Sequence, residues 1–398
     1  MAVRQAAILV GGLGSRLGAA TATVPKPILP CGDRPFLAWL LRELVRFGVE
    51  EVLLLAGHLS PVLVAAMPGI VAALPKPVSV TWSVEPFRAG TGGALHHARA
   101  LLHERFLLCN GDSILDFNFA RLLAGADRSR IVLRDVADTD RYGVVQVGGG
   151  RVTAFHTRAG TPGPGLVNAG IYLLDRADLL PLLTPACSLE ADILPALAAS
   201  GRLDGTVATG FFIDIGVPDD LARAQTALLA QFRRPALLLD RDGTINVDHG
   251  WVGSQDRWEW VAGAKAAVRL ATERGWHVFV VTNQSGIARG HYDEAALAAL
   301  HGWMAEALRE AGGTVDDIRY CPFHADAVIP EYRHAAHSWR KPAPGMLLDL
   351  IARWELDPAR CAMVGDQPGD MAAAAAAGVR GVAFNGVDLL ATVTAIIC

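Results

Sequence analysis

The sequence predicts an α/β protein of two Rossmann-like, three-layer domains, residues 1–233 and 234–398. The chain has 398 residues, which is too many for one ordinary hydrophobic core. Short apolar segments such as "AAILV" and "EVLLLAG" alternate with segments of helical periodicity, the pattern of β-α-β units. Pro235 follows a long predicted helix that proline cannot continue, and it therefore marks the domain boundary.

The composition favours a cytoplasmic protein that acts on small molecules. The formal net charge is −4 and no block of lysine and arginine stands out, which argues against nucleic acid as a partner. The six cysteines form no CxxC pair, as expected of reduced thiols in the cytoplasm. We expect neither export nor a membrane partner, because the apolar runs are short and no signal-peptide pattern is present. The sequence does not indicate an oligomeric state.

The elements of the two halves differ in pattern. In the first half a mainly parallel sheet is predicted, with an antiparallel portion near one edge between "RIVLRDV" and "GLVNAGIYLL", which makes the sheet mixed. The helix "PDDLARAQTALLAQF" ends this half. In the second half a parallel sheet is predicted from the strands "ALLLD", "HVFVVTN", "IRYCPF", "CAMVGD" and "GVAF". Ligands of such sheets lie beyond the carboxyl ends of the strands.

Four polar motifs occur in the second half, at or near the predicted strand ends: "DRDGT", "TNQSG", "RKP" and "GDQPGD". Asp240 suits a nucleophile towards a phosphate monoester, provided that positive charge offsets their mutual repulsion. Asp366 suits a Mg²⁺ ligand beside Asp240, and Lys341 suits the fixed positive charge. Asp242, two residues after the nucleophile, suits the acid that protonates an alkoxide leaving group. The motifs predict phosphate transfer through an aspartate.

In this order and spacing the motifs resemble those of the haloacid dehalogenase superfamily of phosphatases, over residues 235–398. "DRDGTINVDHGWV", "TNQSGIARG" and "RKPAPGM" are closest to the heptose 1,7-bisphosphate 7-phosphatases, and histidinol-phosphate phosphatases share most of these motifs. The resemblance implies a minimal cap, Asp240 as the phosphorylated nucleophile, and Asp242 as general acid and base. It also implies Mg²⁺ on Asp240, the Asp242 main chain and Asp366. The other residues that it implies for catalysis or substrate binding are Asp248, His249, Gly250, Trp251, Thr282, Asn283, Gln284, Ser285, Arg340 and Lys341.

The second half departs from this family's pattern in two places. Gln367 stands where the family commonly has a lysine. The family has a zinc cluster with the pattern Cys-x-His followed by Cys-x-Cys. Two of the four matching positions hold Phe323 and Trp339, which cannot bind zinc. We therefore expect zinc to be absent and these two rings to pack together instead. The four cluster positions are Cys321, Phe323, His337 and Trp339, and an alternative zinc site would use Cys321, His324, His334 and His337.

The first half has a phosphate motif of its own, "LVGGLGSRLG", directly after the first strand. Its spacing fits neither the dinucleotide fingerprint G-x-G-x-x-G nor the Walker pattern. Backbone amides of such a loop can cradle phosphate, and Arg16 and Lys26 add charge suited to a triphosphate. Asp112 and Asp214 end predicted strands, and two such carboxylates suit a Mg²⁺ that bridges phosphate oxygens. These residues predict nucleotidyl transfer.

With "EPFRAGTGGAL", "VNAGIYLL" and "SLEADILPAL", residues 1 to about 230 resemble the sugar-1-phosphate nucleotidyltransferases, most closely those that act as heptose 1-phosphate guanylyltransferases. The resemblance implies a bound nucleoside triphosphate, Mg²⁺ on Asp112 and Asp214, and Lys26 on phosphate. The loop residues that it implies for the triphosphate are Gly11, Gly12, Gly14, Ser15 and Arg16, those near the base are Thr91, Gly92 and Gly93, and those that bind the sugar are Glu85, Asn168 and Glu190.

Taken together, the two resemblances imply consecutive reactions on sugar phosphates. Removing the 7-phosphate of a heptose 1,7-bisphosphate leaves a heptose 1-phosphate, which is the acceptor that a guanylyltransferase needs to form GDP-D-glycero-α-D-manno-heptose. One alternative is transfer to another sugar 1-phosphate, such as mannose 1-phosphate, fused to a broader sugar or histidinol phosphatase. Another is a first half that senses a sugar nucleotide without turnover, against which the intact Arg16, Lys26, Asp112 and Asp214 weigh.

Overall fold

The computed structural model describes residues 3–125, 127–139, 143–156 and 163–398. The chain divides into two compact units, Met1–Phe232 and Arg233–Cys398. Within the described residues, no helix combines the length and the apolar character that crossing a membrane requires.

A nine-stranded mixed sheet is the centre of the first unit. The described strands of this unit are β1 (Gln5–Leu9), β2 (Pro30–Cys31), β3 (Arg34–Pro35), β4 (Glu51–Ala56), β5 (Ser79–Val84), β6 (Arg105–Asn110), β7 (Ser113–Leu115), β8 (Ser129–Val136), β9 (Val144–Gly148), β10 (Arg151–His156), β11 (Gly165–Asp175), β12 (Leu203–Ala208) and β13 (Phe212–Asp214). The large sheet has the order β5-β4-β1-β6-β11-β8-β12-β10-β9. The pairs β2–β3 and β7–β13 form separate two-stranded ribbons.

Helices cover both faces of this sheet. They are α1 (Phe36–Arg46), α2 (Ser60–Ala72), α3 (Gly90–Ala98), α4 (Phe119–Leu123), α5 (Arg176–Leu179), α6 (Leu194–Ala199) and α7 (Pro218–Phe232), with shorter turns at Ser15–Thr21, Lys26–Ile28, Leu180–Leu182 and Leu189–Ile193. Leu40 of α1 lies in one apolar cluster, whereas Leu95 of α3 and Leu197 of α6 lie in another. A strand that is buried on both faces needs a continuous apolar run, which explains "AAILV" and "EVLLLAG".

A five-stranded parallel sheet is the centre of the second unit. Its strands are β14 (Ala236–Leu239), β15 (His277–Asn283), β16 (Asp317–Cys321), β17 (Cys361–Gly365) and β18 (Arg380–Ala383), in the order β16-β15-β14-β17-β18. The helices are α8 (Ala264–Glu273), α9 (Ser285–Ala288), α10 (Glu294–Glu310), α11 (Gly345–Trp354), α12 (Pro368–Ala376) and α13 (Leu389–Ile397), and short 3₁₀ turns occupy Gln255–Arg257, Pro330–Tyr332 and Pro358–Arg360.

The predicted α/β class, with a mixed first sheet and a parallel second sheet, is confirmed. The predicted antiparallel portion near one edge is also present, because β9 and β10 pair antiparallel and end the large sheet. The strand β11 lies in the middle of the large sheet and pairs antiparallel with both β6 and β8. Its eleven residues are mostly buried, so the apolar run in "GLVNAGIYLL" belongs to a central strand.

Candidate active sites

The strand β14 brings Asp240 to the centre of the candidate site in the second unit. This buried strand ends at Leu239, so Asp240 is the first residue beyond its carboxyl end. The neighbouring strand β17 ends directly before Asp366. Leu239 pairs with Val364 in the parallel ladder, and the Asp240 amide donates to the Val364 carbonyl over 2.9 Å. The register of two adjacent strands thus brings both carboxylates to one edge of the sheet.

Lys341 is the buried cation of this site. Its Nζ lies 2.7 Å from Asp240 Oδ1 and 2.6 Å from Asp370 Oδ1, and it donates to the Val281 carbonyl over 2.8 Å. Burial disfavours the ammonium ion, but the two carboxylates outweigh burial and raise the pKa of Lys341. Burial raises the pKa of Asp240 to about 6, against the opposing effect of Lys341. At neutral pH the pair is therefore ionised.

Three carboxylates converge beside Lys341. Asp240, Asp366 and Asp370 offer oxygens within 4.8 Å of one another, and they are the one group of this kind among the described residues. The Asp370 oxygens are occupied, since Oδ1 accepts from Lys341 and Oδ2 accepts from the Gln367 amide over 3.0 Å. Asp366 Oδ1 is buried without a hydrogen-bond partner. An unpartnered buried carboxylate oxygen beside a second carboxylate fits Mg²⁺ on Asp240 and Asp366.

The glycine of "DRDGT" is explained by the same cluster. Gly243 has a φ of +82°, a conformation that side chains rarely adopt. A Cβ at this position would lie 2.5 Å from Asp366 Oδ2. Gly243 thus leaves room for the second carboxylate.

The Asp242 carboxylate is held by hydrogen bonds from three side chains. Arg241 donates to both of its oxygens over 2.9 Å, Asn246 Nδ2 donates to Oδ1 over 2.9 Å, and Gln284 Nε2 donates to Oδ2 over 2.8 Å. Gln284 is 1% exposed and also donates to Thr282 Oγ1 over 2.9 Å. The expectation that Gln284 contacts the substrate is corrected accordingly: its burial makes it a support for Asp242. Thr282 is 1% exposed as well.

The predicted substrate loop, residues 248–251, is exposed. The Asp248 side chain accepts the Gly250 amide over 2.8 Å, and its charge raises the pKa of Asp366, after the larger effect of burial. Trp251 has a φ of +48° and a side chain that stacks on His291, with ring centroids 4.2 Å apart. His249 Nε2 lies 2.8 Å from Glu259 Oε2. The loop therefore presents polar groups and an aromatic side chain to solvent.

The remaining predicted residues of this site are Asn283, Ser285 and Arg340. Asn283 exchanges two hydrogen bonds with the Lys341 backbone, over 3.0 and 3.1 Å. Arg340 donates to the Phe323 carbonyl over 3.1 Å. Ser285 begins the short helix α9 directly after Gln284. Asn283 thus places Lys341 relative to the end of β15.

The positions of the family's zinc cluster hold an aromatic arrangement. The Phe323 ring stacks on the His337 imidazole at 4.1 Å and 14°, and both Phe323 and Trp339 pack against one apolar cluster. The ring that stacks on Phe323 is thus that of His337, while Phe323 and Trp339 share one apolar cluster. His337 Nδ1 accepts the Trp339 amide over 3.1 Å and lies 4.0 Å from Cys321 Sγ. Of the four cluster positions only Cys321 and His337 carry an atom that binds zinc, two fewer than a closed zinc site needs.

The alternative zinc ligands also have other contacts. His324 Nδ1 accepts the Asp326 amide over 3.0 Å, and His334 Nδ1 accepts the Ala336 amide over 3.2 Å. Both imidazoles thus close local turns of the loop. Each has a nitrogen engaged by backbone, which agrees with a structural use of these histidines.

A cavity of about 650 Å³ forms the candidate site of the first unit. Its volume is in the range of small-molecule sites. The residues that line it and that the sequence predicted for ligand contact are Gly11, Gly12, Lys26, Glu85, Thr91, Asp112 and Glu190. Arg88, Gly90 and Asn110 line it as well, and sequence reasoning missed them. Gly90 could have been found from its place directly before Thr91. Its φ is +79°, and a Cβ at this position would lie 2.6 Å from the Cys187 carbonyl oxygen.

The glycine-rich loop follows β1 at the wall of this cavity. A Cβ on Gly11 would lie 3.0 Å from the Gly57 nitrogen, so the loop runs close to a second backbone segment. Gly14 has a φ of +66° and precedes a 3₁₀ turn that begins at Ser15. Thr21 Oγ1 donates back to the Gly14 carbonyl over 2.9 Å. The glycines thus permit a tight, side-chain-free approach for phosphate.

The two carboxylates of the first unit meet through the short ribbon β7–β13. Asp214 ends β13 and pairs with Ser113 of β7, which follows Asp112 directly. Burial raises the pKa of Asp214, and the neighbouring Asp112 adds to this effect. Lys26 Nζ lies 2.7 Å from Asp112 Oδ2. Two neighbouring carboxylates, of which Asp112 lines a cavity with charged walls, fit a divalent cation.

Arg16 belongs to the same cluster. A Cβ built on Gly216 would lie 2.9 Å from the Arg16 guanidinium and 2.8 Å from Asp214 Oδ1. Both Lys26 and Arg16 lower the pKa of Asp214, against the larger effects of burial and Asp112. The structure thus brings together the four residues that the sequence assigned to phosphate and Mg²⁺, which are Arg16, Lys26, Asp112 and Asp214.

Two of the predicted sugar-binding residues, Asn168 and Glu190, have separate side-chain partners. Thr91 Oγ1 donates to Glu190 Oε2 over 2.7 Å and accepts the Leu189 amide over 2.8 Å. Asn168 Nδ2 donates to the Tyr172 hydroxyl over 2.7 Å. Burial raises the pKa of Tyr172, and the charge of Glu190 adds to it. Asn168 thus contacts Tyr172, whereas Glu190 contacts Thr91.

Gly92 and Gly93 contact a neighbouring backbone segment. Both amides donate to the Cys187 carbonyl over 3.0 Å, and a Cβ on Gly92 would lie 2.7 Å from Cys187 Sγ. A Cβ on Gly93 would lie 2.5 Å from the Ala89 Cβ. These glycines thus pack α3 against residues 185–188, whereas Gly90 and Thr91 line the cavity near which the base was expected.

Two family models match the chain. The model described as nucleotidyl transferase matches residues 5–231, and the model described as haloacid dehalogenase-like hydrolase matches residues 213–378.

The second unit is similar to curated relatives named D-glycero-beta-D-manno-heptose-1,7-bisphosphate 7-phosphatase. The relative from Rhodopseudomonas palustris is 45% identical over 157 residues, which are 39% of this chain and 87% of the relative. The relative from Escherichia coli K12 is 46% identical over 145 residues, 36% of this chain and 75% of the relative.

The first unit is similar to a solved structure of HddC from Yersinia pseudotuberculosis. The identity is 27% with a TM-score of 0.50, and the match covers 56% of this chain and 99% of that one. The same protein has been solved in complex with GMP-PN, with the same identity and coverage.

Proposed function

The chain belongs to the nucleotidyl transferase family through residues 5–231 and to the haloacid dehalogenase-like hydrolases through its second unit, and on this premise we propose two consecutive reactions that form GDP-D-glycero-α-D-manno-heptose. The second unit removes the 7-phosphate of heptose 1,7-bisphosphate. The first unit transfers GMP from GTP to the heptose 1-phosphate and releases pyrophosphate. The proposal is carried by one observation: a single chain combines the Asp240–Lys341–Asp366 cluster with a nucleotide-sized cavity that contains Asp112.

In the phosphatase reaction, an Asp240 oxygen attacks the phosphorus of the 7-phosphate, and the bond from phosphorus to the sugar oxygen breaks. Asp242 gives its proton to that oxygen, so the heptose leaves as an alcohol. Water then attacks the phosphorus of the aspartyl-phosphate and gives a proton back to Asp242. Inorganic phosphate leaves, and Asp240 is restored.

Positive charge is needed because nucleophile and phosphate are both anionic. The ammonium of Lys341 lies 2.7 Å from Asp240 Oδ1, where it offsets this repulsion. Mg²⁺ bound by Asp240 and Asp366 would supply further positive charge at the same place. We propose that Arg340, directly before Lys341, contacts the phosphates of the substrate.

In the nucleotidyl transfer, an oxygen of heptose 1-phosphate attacks the α-phosphorus of GTP, and the bond from that phosphorus to the bridging oxygen of pyrophosphate breaks. The amides of the glycine-rich loop, with Arg16 and Lys26, bind the triphosphate. Mg²⁺ on Asp112 and Asp214 would supply charge to the phosphate oxygens. Since Lys26 pairs with Asp112 in this structure, triphosphate binding competes for the same ammonium.

The proposed coupling of the two reactions predicts which anomer of heptose 1,7-bisphosphate is the substrate. The phosphatase relatives carry the β-anomer in their name. A product in the α-configuration is what the proposed guanylyl transfer consumes, and the first unit resembles HddC, which has been solved with a guanine nucleotide analogue. We therefore propose that this phosphatase unit prefers the α-anomer of the bisphosphate.

One assay tests both reactions. The purified chain is given α- or β-heptose 1,7-bisphosphate, Mg²⁺ and each of the four nucleoside triphosphates, while phosphate, pyrophosphate and sugar nucleotide are measured. We expect faster phosphate release from the α-anomer, followed by pyrophosphate release with GTP. A strong preference for the β-anomer, or pyrophosphate release with another nucleotide only, would refute the pairing.

A further inference from the structure

Arg241 stands between the two aspartates of "DRDGT", and none of the reaction steps above uses it. Its side chain is 0% exposed. The guanidinium is charged at any pH that proteins tolerate, and a buried charge is costly unless its donors are paired. The partners of Arg241 therefore indicate what its burial achieves.

Those partners come from three separate parts of the second unit. The guanidinium donates to both Asp242 oxygens over 2.9 Å and to the Val252 carbonyl over 2.6 Å. It also lies 3.2 Å from His301 Nε2, on α10. Because arginine has donors only, His301 Nε2 must be the acceptor. Burial and Arg241 lower the pKa of His301 to about 3, which agrees with a neutral imidazole.

The other partners of Asp242 are neutral amides. Asn246 and Gln284 each donate one hydrogen bond to its carboxylate. Gln284 is fixed in turn, since its Oε1 accepts from the Tyr292 hydroxyl over 2.5 Å. Arg241 is thus the partner that contributes charge and contacts both oxygens, a geometry that fixes the plane of a carboxylate.

The hydrogen bond from Arg241 to the Val252 carbonyl connects Arg241 to the substrate loop. Val252 follows the exposed loop 248–251 directly, and its own side chain is 0% exposed. One guanidinium therefore joins the carboxylate proposed as acid to the end of the loop proposed to bind substrate. We propose that Arg241 is a positioning residue that orients Asp242 for proton transfer and ties it to the backbone of that loop. This inference rests on the proposed phosphatase reaction.

The role can be separated from stability by the choice of leaving group. Phenolate leaves slowly without a proton, whereas p-nitrophenolate is a weak base and leaves without one. Phenyl phosphate and p-nitrophenyl phosphate have similar size and no sugar, so the loop affects both alike. Hydrolysis of the second ester also reports that Asp240, Lys341 and the fold are intact.

The experiment measures kcat of the full-length chain with Mg²⁺ on both esters, for the wild type, Arg241→Met and Arg241→Lys. Methionine keeps length without charge, and lysine keeps charge without the fork of donors. We expect the ratio of kcat on p-nitrophenyl phosphate to kcat on phenyl phosphate to rise by about 10-fold or more in Arg241→Met. In Arg241→Lys a smaller rise is expected.

Two results would overturn the inference: an unchanged ratio, or an equal loss of kcat on both esters in a variant whose circular dichroism matches the wild type. If Arg241→Met does not fold, the ratio in Arg241→Lys decides. Should the wild type hydrolyse neither ester nor the bisphosphate, the proposed phosphatase function itself is wrong. The two failures are therefore distinguishable.

Discussion

Lys341 and Asp240 form a buried ion pair, with 2.7 Å between Nζ and Oδ1 and each residue 6% exposed. They are distant in sequence and come from different loops at the carboxyl edge of the parallel sheet. Lys341 is shared with Asp370, so one ammonium compensates two carboxylates. The ion pair therefore serves both the stability of the second unit and the charge balance of the proposed nucleophile.

Replacing Lys341 by methionine tests this double role. We expect Lys341→Met to abolish phosphate release and to lower the free energy of unfolding by about 3–5 kcal/mol, because two buried carboxylates lose their cation. Phosphate release and urea unfolding followed by circular dichroism measure the two effects. The matched control is Lys265→Met, which removes an exposed lysine that lies over Trp260. Wild-type phosphatase activity in Lys341→Met would contradict the assignment.

The two reactions should separate by single substitutions. We expect Asp240→Asn to abolish phosphate release and to leave guanylyl transfer to heptose 1-phosphate unchanged, since the nucleophile of one unit has no part in the other. Asp112→Asn should do the reverse, because it removes a proposed Mg²⁺ ligand of the first unit. Phosphate and pyrophosphate release, measured in parallel, give the answer. Loss of both activities in either variant would argue for one composite site.

The positions of Asp240 and Asp366 could be predicted, because each follows a buried strand of a parallel sheet. This rule depends on local pattern and on topology alone. The pairing of Lys341 with Asp370 could not be predicted, since Lys341 lies in a loop whose path is set by tertiary contacts. The two hydrogen bonds between the Asn283 side chain and the Lys341 backbone, one in each direction, are such contacts.

Two other features, very short strands and the contacts of glycines, could not be predicted from the sequence. The ribbon that joins Asp112 and Asp214 has strands of only three residues, too short for a periodic signal. Gly92 and Gly93 were predicted to lie near the base because the family motif contains them. In the structure both of their amides donate to the Cys187 carbonyl, which is far away in sequence. Sequence alone does not distinguish a glycine that approaches a ligand from one that approaches a backbone.

His301 should make the second unit sensitive to acid. Its pKa is about 3 in the folded chain and 6.5 for an ordinary histidine, because burial and Arg241 disfavour the charged form. Tyr320 is its aromatic neighbour. Above pH 6.5 neither state binds the proton, and below it the unfolded state alone does, so stability falls until the pH reaches about 3.

The test compares the wild type with His301→Gln, whose amide oxygen can still accept from Arg241. Between about pH 7.5 and about pH 5.5, we expect the wild type to lose about 1 kcal/mol more unfolding free energy than the variant. Urea denaturation at the two pH values, followed by circular dichroism, measures this difference. Parallel losses in both proteins would show that His301 does not carry the effect.

The aromatic arrangement around Phe323 predicts a metal-independent loop. We expect purified wild-type chain to contain far less than one zinc per molecule and to keep phosphatase activity in a zinc chelator when Mg²⁺ is supplied. The triple variant Phe323→His, His337→Cys, Trp339→Cys places three ligands beside Cys321, four in all, and should bind zinc. Elemental analysis of both proteins decides the question. Stoichiometric zinc in the wild type, purified without added metal, would exclude apolar replacement of the metal.

Thr91 should couple the two ends of the nucleotidyl-transfer cavity. Its hydroxyl donates to Glu190 over 2.7 Å and accepts the Leu189 amide over 2.8 Å, so one oxygen links α3 to the segment proposed to bind sugar. Thr91→Val keeps the shape and removes both hydrogen bonds, each of which contributes about 1 kcal/mol.

We therefore expect Thr91→Val to raise KM for heptose 1-phosphate by about 5-fold or more, because Glu190 loses its fixed orientation. Thr91→Ser retains the hydroxyl and serves as the matched control, with KM near the wild-type value. Phosphate release from the bisphosphate should be unaffected in both variants, since this reaction belongs to the second unit. Initial rates of pyrophosphate release at varied heptose 1-phosphate give KM. Equal KM values in the valine and serine variants would show that Thr91 does not orient Glu190.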